Sequence, residues 1–474
     1  ADYLSLYLFA HEQSHLPDLG YPFGWEYRWQ WDSNTYAHNT VGVDGCNPLL
    51  PHAVPRGWVS LIGDRLGVQA AVVNHTPYPY HPELEPTMPP VERYERICVM
   101  VGENERESYL LDLFIVKGGR EHHLSWHSVL RDPTLPELAW VDQPTGTAAG
   151  PEVAWDGKYT NLRGQETQNA MCYVTGVKRA PLAEHAVFDW NYQLAEPAGL
   201  RVHVVPVDGT KELIFGNGRP PSRPEEWHLP YLFVRNPDTG AEGLGSRFLS
   251  ILEPYRAEGP SRIKAVTAES EGWPLVVTVE REGAIDEITI NAPAPEGGIQ
   301  RGDVRDVGIS VLTGEGYQLT RTVTFGNVPG ADAEGILRGK IVALDRDENS
   351  ITVSGSLPTG RSAARFIRIH SPGRSSMYTV ISAQPGEGDT TVLRLTDTSL
   401  LGCGIPVGYR DGVIDNDVCL PFATGRVAED GTLHDFMCRF AGARVQNADR
   451  STSLRLRGIN GAGWINGSSD YDLF

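Results

Sequence analysis

Apolar and polar residues alternate with a period of two through most of this chain. The pattern is clear in RICVMVG, YLLDLFIVKGG, LRVHVVPVDG and KELIFGN, and at least a dozen such runs precede position 330. A period of two is typical of β-strands that bury one face, whereas helical periodicity is weak everywhere. No repeat of 20 to 50 residues is evident. We therefore predict an all-β protein.

Turn residues between the apolar runs predict where strands pair. The segments SRIKAVTA and PLVVTVEREGAIDEITINAP form a predicted meander with a tight turn at 281–283, and a second hairpin follows at 339–357. Between them, 326–335 (GNVPGADAEG) has no apolar period and is the candidate linker. We predict a large two-sheet antiparallel β-sandwich over 1–330 and a smaller β-sandwich or barrel over 331–474.

Composition agrees with short strands and limits the partners. The 474 residues include 51 glycines and 34 prolines, too many for long helices. The net charge of −19 argues against general affinity for nucleic acid or an anionic membrane, so a polyanion would need a local basic patch. The sequence has no run that approaches 18 consecutive apolar residues, so it predicts no transmembrane helix. The six cysteines are dispersed, without CxxC pairs, and do not fix a compartment.

The segment from His11 to His15 (HEQSH) has the HExxH spacing of zinc proteases. That motif requires a helix, because residues i and i+4 must share a face to reach one metal ion. Here residues 3–10 alternate like a strand, and Pro17 and Gly20 follow at once. We expect the polar turn of a hairpin rather than a protease site.

A second histidine cluster lies in REHHLSWHSV. On a strand His123, Ser125 and His127 would share one face and His122 would take the other. Because residues i and i+4 of a strand are about 13 Å apart, His123 and His127 are not expected to bind one ion. Either could line a substrate site or be a structural histidine.

The densest group of chemically versatile residues covers 16–22 (LPDLGYP) and 25–45. It contains an aspartate, an arginine, tryptophans, tyrosines and a histidine. Aromatic faces pack on sugar rings and cations pair with carboxylates, so the density suits a sugar site. An aromatic sandwich edge with His38 as a core histidine explains the pattern equally well. Spacing alone leaves both interpretations open.

The runs DYLSLYLFA, LPDLGYP, TYAHNTVGVDG, YERICVMV and YLLDLFIVKGGREHHLSWH resemble the β-sandwich domain of the heparinase II/III family of polysaccharide lyases. The resemblance covers roughly 1–130, is vague to about 330 and is negligible beyond. Its most specific piece is AHNT-x-x-VDG at 37–45. It implies a secreted protein, extracellular or periplasmic.

In that family a helical toroid precedes the sandwich, whose first strand carries a His-x-His pair. Ala1 and Asp2 match the continuation of that strand, so the resemblance implies that the pair lies immediately before Ala1. The second of those histidines, Asp18 and His38 would then hold a zinc ion, a donor set apt for zinc. This chain would contribute part of a site completed by the helical domain or by another fragment of the same product.

The resemblance also implies β-elimination on an acidic, uronic acid-containing polysaccharide. A base removes the proton α to the carboxylate and an acid protonates the departing glycosidic oxygen. We expect Tyr36, in preference to Tyr27, to be the catalytic tyrosine, although alternation could turn Tyr36 into the core. Arg28 is the expected partner of the uronate carboxylate. Trp29 and Trp31 would share a strand face as a sugar platform, and His123 and His127 are further candidates for substrate binding.

The main alternative is a non-catalytic carbohydrate-binding or structural β-sandwich protein. The acidic balance favours it, because lyases for uronate chains usually need basic clefts. Arg28, Arg93, Arg96 and Arg120 could still form such a patch. The zinc protease is a third possibility and requires a helix at 11–15.

Overall fold

β-Strands occur throughout the part of the chain that the computed structural model describes. It describes residues 3–20, 27–46, 57–65, 67–75, 91–104, 106–192, 198–220, 227–238, 240, 243–256, 259–269, 272–294, 307–315, 318–326, 337–345, 348–357, 365–371, 374–396 and seven short strands between 406 and 473. Two compact units result, Ala1–Pro51 with Arg56–Ala333, and His52–Pro55 with Glu334–Phe474. The all-β class is confirmed.

The first unit contains 22 of the described strands and two short 3-10 helices, Thr35–Ala37 and Ala170–Tyr173. The strands are β1 Leu8–Ala10, β2 Gln13–Leu16, β3 Val41–Val43, β4 Gly57–Arg65, β5 Val68–His75, β6 Arg93–Val101, β7 Tyr109–Lys117, β8 His122–His127, β9 Val141–Asp142, β10 Tyr159–Thr160, β11 Glu166–Thr167, β12 Val174–Leu182, β13 Ala186–Asn191, β14 Ala198–Val205, β15 Lys211–Gly218, β16 Leu229–Arg235, β17 Gly245–Arg256, β18 Ile263–Glu269, β19 Leu275–Arg281, β20 Ala284–Asn291, β21 Gly308–Glu315 and β22 Gln318–Gly326.

Two large antiparallel sheets form the predicted sandwich. A six-stranded sheet has the order β3-β8-β16-β15-β12-β9, and a seven-stranded sheet has the order β13-β14-β17-β7-β6-β5-β4. Large side chains from both sheets, including Trp126, Leu232, Phe114 and Trp190, meet in one buried cluster. This is the core that alternation in the sequence predicts, with inward residues of two facing sheets interdigitating.

The six-stranded sheet is buried on its other face as well. Ile214, Tyr231 and Phe233 point away from the main core and pack against Trp31, Tyr36 and the 3-10 helix at 170–173. The segments 27–40 and 144–173 therefore cover this face, which explains why every residue of β8 is buried.

The predicted turns are confirmed. β19 and β20 pair with Arg281 opposite Ala284 in an antiparallel sheet of order β18-β19-β20-β21-β22, so the meander is present. β1 and β2 form a hairpin whose turn residues His11 and Glu12 have left-handed φ angles of 51° and 63°. No helix forms over 11–15, so the zinc protease interpretation is wrong.

Alternation predicts a strand from residue 3 onward, and this prediction is wrong for most of the segment 3–10. Residues 3–7 are not in a strand, and Leu4 has a φ of 51°. Tyr3, Leu4 and Leu6 still pack on the core. The period of two in this segment therefore reflects side chains that pack on the core, without the hydrogen bonds of a β-sheet.

The second unit contains β23 Leu337–Asp345, β24 Ser350–Ser354, β25 Arg365–Ser371, β26 Arg374–Pro385, β27 Thr390–Leu395, β28 Pro406–Arg410, β29 Val413–Asn416, β30 Gly425–Val427, β31 Thr432–Asp435, β32 Arg444–Gln446, β33 Ser453–Arg457 and β34 Asp470–Leu473. Six of them close a barrel in the order β23-β24-β27-β26-β25-β34. The hairpin at 339–357 is confirmed as β23 and β24. Apart from Gly326, the predicted linker lies outside the described residues. Within the described residues no helix is long and apolar enough to span a membrane.

A buried ion pair ties the N-terminal segment to the sandwich. Arg96 on β6 donates through Nε and Nη2 to Asp112 on β7, at 2.5 and 2.9 Å. Its Nη1 donates to the carbonyl oxygens of Leu4 and Asn39, at 2.5 and 2.7 Å. Burial alone would lower the pKa of Arg96, but the Asp112 carboxylate raises it, so the guanidinium stays charged.

Replacing Asp112 with alanine should strongly destabilise the sandwich. The change leaves the Arg96 guanidinium buried without its counter-ion, which typically costs about 3–5 kcal/mol. Urea unfolding of the full chain measures the loss. Removing both charges in Arg96→Met with Asp112→Leu should cost clearly less than Asp112→Ala alone, and an equal cost would contradict this account.

Candidate functional site

Three chain segments meet near one end of the six-stranded sheet. They are the loop that follows β2, with Asp18, the end of the first 3-10 helix, with His38, and the end of β8, with His127. Asn34 caps the 3-10 helix, since its Oδ1 accepts from the Tyr36 N–H and its Nδ2 donates to the Trp29 carbonyl. These bonds fix the short segment that delivers His38.

Asp18 is exposed and its carboxylate has two donors. Oδ1 accepts from the Gly20 N–H at 2.7 Å, and Oδ2 accepts from the Tyr7 hydroxyl at 3.0 Å. The first bond closes a local turn typical of aspartate. The charge of Asp18 is therefore held in place at the surface by its own loop.

His38 and His127 are both buried. The Nε2 of His38 donates to the Asp32 carbonyl at 3.1 Å, and the His127 ring lies 5.3 Å from the Tyr231 ring. Burial, with a smaller contribution from His38, lowers the pKa of His127 to about 3, although Asp18 opposes the shift. His127 is therefore neutral at physiological pH, and Asp18 and His38 both lie within its electrostatic range.

The donor set for a metal ion is incomplete in the part of the chain that the structure describes. No three His, Cys, Asp or Glu side chains there are grouped so that they could hold an ion. Asp18 and His38 are a suitable carboxylate and imidazole, but a zinc site requires three or four protein ligands. On their own these two residues do not fit zinc, and a further ligand is needed.

A cavity of about 650 Å³ adjoins Asp18 and His127. Its lining also includes Arg131 and Trp227, together with polar side chains from the β1–β2 hairpin and from the residues that follow β8 and β13. Trp227 is half-buried and stands edge to face with Trp31, with ring centroids 6.5 Å apart. An indole, a guanidinium and several neutral polar groups thus surround a space large enough for a sugar unit.

The two tryptophans predicted as a platform do not share a strand face. Both lie in turns between 27 and 33, where Trp29 is 53% exposed and Trp31 is fully buried. The Arg28 guanidinium lies 5.2 Å from the centre of the Trp29 ring, and its Nε donates to the Ser33 hydroxyl. The prediction that the two tryptophans share one strand face as a platform is therefore wrong, because the segment turns on itself to cover the sheet.

Tyr36, the preferred catalytic tyrosine, is fully buried. Its hydroxyl oxygen accepts from the Gly45 N–H at 2.7 Å, and its ring lies 5.9 Å from the His123 ring. Gly42 on β3 makes room for the ring, because a Cβ there would overlap it. Tyr36 thus takes the inward position that alternation allows, and a catalytic role for it stays a prediction.

His123 and His127 share a face of β8, as alternation predicts, but occupy different surroundings. His123 lies opposite Arg235 of β16, beside an ion-pair network that includes Glu121 and Glu212. Burial lowers its pKa well below the ordinary value, and Arg235 adds to the shift. Only His127 of the two lines the cavity.

The VDG part of the most specific motif is a structural support. Buried Asp44 has a φ of 55°, and its Oδ1 accepts from the backbone N–H groups of Arg120 and Glu121. Its Oδ2 forms an ion pair with Arg163 at 2.5 Å. Asp44 therefore fixes the turn that leads into β8 and positions the strand that ends at His127.

Sequence reasoning missed Trp227, Arg131 and Tyr192. Trp227 follows a run of prolines and charged residues, and Tyr192 comes just after β13, so neither stands in a motif. They reach the cavity through the sandwich topology, which places the residues after β8 and β13 beside the β1–β2 hairpin. Nothing in their local sequence indicates this.

Gly42→Ala should destabilise the protein by about 1–3 kcal/mol, because the methyl group would force the Tyr36 ring out of its position. Gly245→Ala is the matched control, since Gly245 also lies in a strand and a Cβ added there would have no atom within 4 Å. Chemical denaturation measures both changes. Equal effects of the two substitutions would show that the Tyr36 ring is not packed against Gly42.

Comparisons with known proteins give only a weak structural likeness. No family model matches the sequence, and no curated protein is similar to it. Among solved structures, "Heparinase III-BT4657 gene product" is 11% identical with a TM-score of 0.35, over 57% of this chain and 33% of that one. The same protein with methylated lysines is 10% identical with a TM-score of 0.35, over 66% of this chain and 35% of that one. The chain thus spans about a third of the length of these structures.

Proposed function

We propose that this chain is the β-sandwich part of a polysaccharide lyase that cleaves a uronic acid-containing polysaccharide by β-elimination outside the cell or in the periplasm. The observation that carries the proposal is the cavity that borders Asp18 and His127 and is also lined by Trp227 and Arg131. An indole face packs on a sugar ring, and a guanidinium pairs with a carboxylate. These are the two contacts that a uronate unit requires.

The chain's own residues would mainly bind and orient the substrate. Arg131 at the cavity and Arg28 beside the Trp29 ring are the proposed partners of the uronate carboxylate, whose pairing favours loss of the α proton. The base that takes the α proton would come from the helical partner domain, and Tyr36 is the proposed proton donor to the leaving oxygen. Because its ring is buried, this role requires the 27–40 segment to open. His127 would act as a neutral hydrogen-bonding group, since burial lowers its pKa to about 3.

A helical partner domain and a zinc ion belong to the same proposal. Asp18 and His38 would be two of the zinc ligands, and the third would come from outside the described residues. Bound there, the ion would brace the loop after β2 against the 3-10 helix and supply positive charge beside the cavity.

The alternative function is non-catalytic carbohydrate binding. It is favoured by the burial of Tyr36, whose hydroxyl oxygen accepts from the Gly45 backbone, and by the net charge of −19. Both functions use the same cavity and differ in whether the glycosidic bond is broken.

Incubation of the intact protein, which would include the helical partner domain, with heparin, chondroitin, hyaluronan, alginate and ulvan should produce unsaturated, ultraviolet-absorbing ends from one of these polysaccharides. Trp227→Ala should reduce that rate at least about tenfold, because the platform for the ring is lost. Trp155→Ala is the control, since Trp155 is an exposed tryptophan that does not line the cavity. Binding without unsaturated products would favour the alternative function, and neither binding nor products would refute both.

Zinc binding should depend on Asp18 and His38. Isothermal titration with zinc should give weak binding to this chain, because its described residues supply only two of the proposed ligands. Asp18→Asn and His38→Gln should each abolish it, whereas His185→Gln, a histidine that lies against His203 instead, should leave it unchanged. Binding that survives both site substitutions would show that these residues are not zinc ligands.

A further inference from the structure

Three polar side chains from separate segments lie together in one network at the wall of the cavity. The Tyr192 hydroxyl lies 2.7 Å from Nδ1 of His15 and 3.2 Å from the Ser128 hydroxyl. His15 is on β2, Ser128 follows β8 and Tyr192 follows β13. Tyr192 is 5% exposed and Ser128 is 1% exposed, and both line the cavity.

The proton positions in this network follow from its acceptors. Nε2 of His15 lies 3.0 Å from the Ala10 carbonyl oxygen, which can only accept, so Nε2 carries the proton. Burial lowers the pKa of His15 to about 4, so the ring is neutral at pH 7 and its Nδ1 has no proton. Tyr192 must therefore donate to Nδ1, and its single hydroxyl proton is used.

Ser128 has used its proton as well. Its hydroxyl donates to the backbone carbonyl of His15 at 2.6 Å, a shorter distance than the 3.2 Å to Tyr192. A hydroxyl carries one proton, so no proton lies between the oxygens of Ser128 and Tyr192. The two oxygens stand side by side with only lone pairs facing each other.

We propose that this pair of acceptor oxygens is a subsite that selects an unsubstituted sugar hydroxyl. A ligand hydroxyl would place its proton between the Ser128 and Tyr192 oxygens and satisfy both. A sulfate, a carboxylate or a methyl ether has no proton to give, and an anionic oxygen would be repelled. Buried groups that require a donor discriminate strongly against ligands that lack one.

The inference rests on the proposed carbohydrate cavity and adds what the substrate must present there. Trp227 and Arg131 can hold the ring and its carboxylate, while Ser128 and Tyr192 require a free hydroxyl elsewhere on the bound chain. The subsite is independent of the zinc ligands and of any bond cleavage, so it can be tested by binding alone.

The first test measures the proton positions directly. Long-range ¹H–¹⁵N correlation spectra of the full chain at pH 7 should show the His15 ring protonated on Nε2 only, with the His15 signals identified by their loss in His15→Gln. A proton on Nδ1 would free the Tyr192 proton and overturn the proposal, whatever the outcome of the lyase assay.

The second test compares hyaluronan oligosaccharides with O-methylated derivatives that keep free carboxylates. The full chain should bind the unsubstituted form at least about tenfold more tightly, a discrimination that an unpaired acceptor can provide. In Tyr192→Phe the ratio should fall below about threefold, and Ser128→Ala should act in the same direction. Tyr109→Phe is the control, because it removes a hydroxyl that is bonded to Asp286 and does not line the cavity, so it should leave the ratio unchanged.

The outcomes separate this inference from the lyase proposal. Discrimination without unsaturated products would support the subsite and refute cleavage of the tested chains. Unsaturated products with no discrimination, or a ratio that Tyr192→Phe leaves unchanged, would overturn the subsite and keep the lyase. Failure to bind either hyaluronan form would overturn the subsite as proposed.

Discussion

The ion pair between Arg96 and Asp112 determines where the candidate site can be. It is buried inside the sandwich, and the guanidinium uses its remaining nitrogen to hold the carbonyls of Leu4 and Asn39. Asn39 in turn accepts the His127 N–H through Oδ1. One side chain of the seven-stranded sheet thereby connects the N-terminal segment, the residue after His38 and the end of β8. Removing a partner of a buried charge is strongly destabilising, so these contacts favour the three segments being held together.

The second constraint is the double burial of the six-stranded sheet. Segments 27–40 and 144–173 cover its outer face, so polar residues on both faces of β8 lose water. The histidines respond by becoming neutral, since desolvation disfavours the imidazolium form. His122, for example, bonds to the Ser246 hydroxyl and the Gly118 carbonyl, and burial lowers its pKa to about 4. A site built from such neutral histidines would bind a ligand mainly through hydrogen bonds of fixed direction, and less through charge.

Much of the fold could be predicted because it depends on local signals. Alternation, together with turn residues such as those at 281–283, determines which face of a strand is buried and where the chain reverses. The same logic failed at residues 3–7, where side chains also alternate in contact with a core but the backbone is held by loop and side-chain bonds. It failed as well at Trp29 and Trp31, where the backbone turns, so that one ring is exposed and the other is buried. A period of two indicates that burial alternates along the chain. A loop that packs on the core can give the same period as a strand.

The candidate site was only partly predictable for a different reason. Asp18 and His38 stand in the motifs that carry the family resemblance, and the resemblance, rather than their spacing, predicted that they share a site. Tyr192, Ser128 and His15 are separated by up to 177 positions, and only the sandwich topology brings them together. What the sequence could not show is the direction of each hydrogen bond, because that depends on which carbonyl faces each donor. The positions of the Ala10 and His15 carbonyls determine where the protons of His15, Tyr192 and Ser128 lie. The cavity wall then presents oxygens that accept hydrogen bonds. In a chain with a net charge of −19, the proposed recognition of an acidic polysaccharide would depend on Arg131 for the charge and on the oxygens of Ser128 and Tyr192 for the hydroxyls.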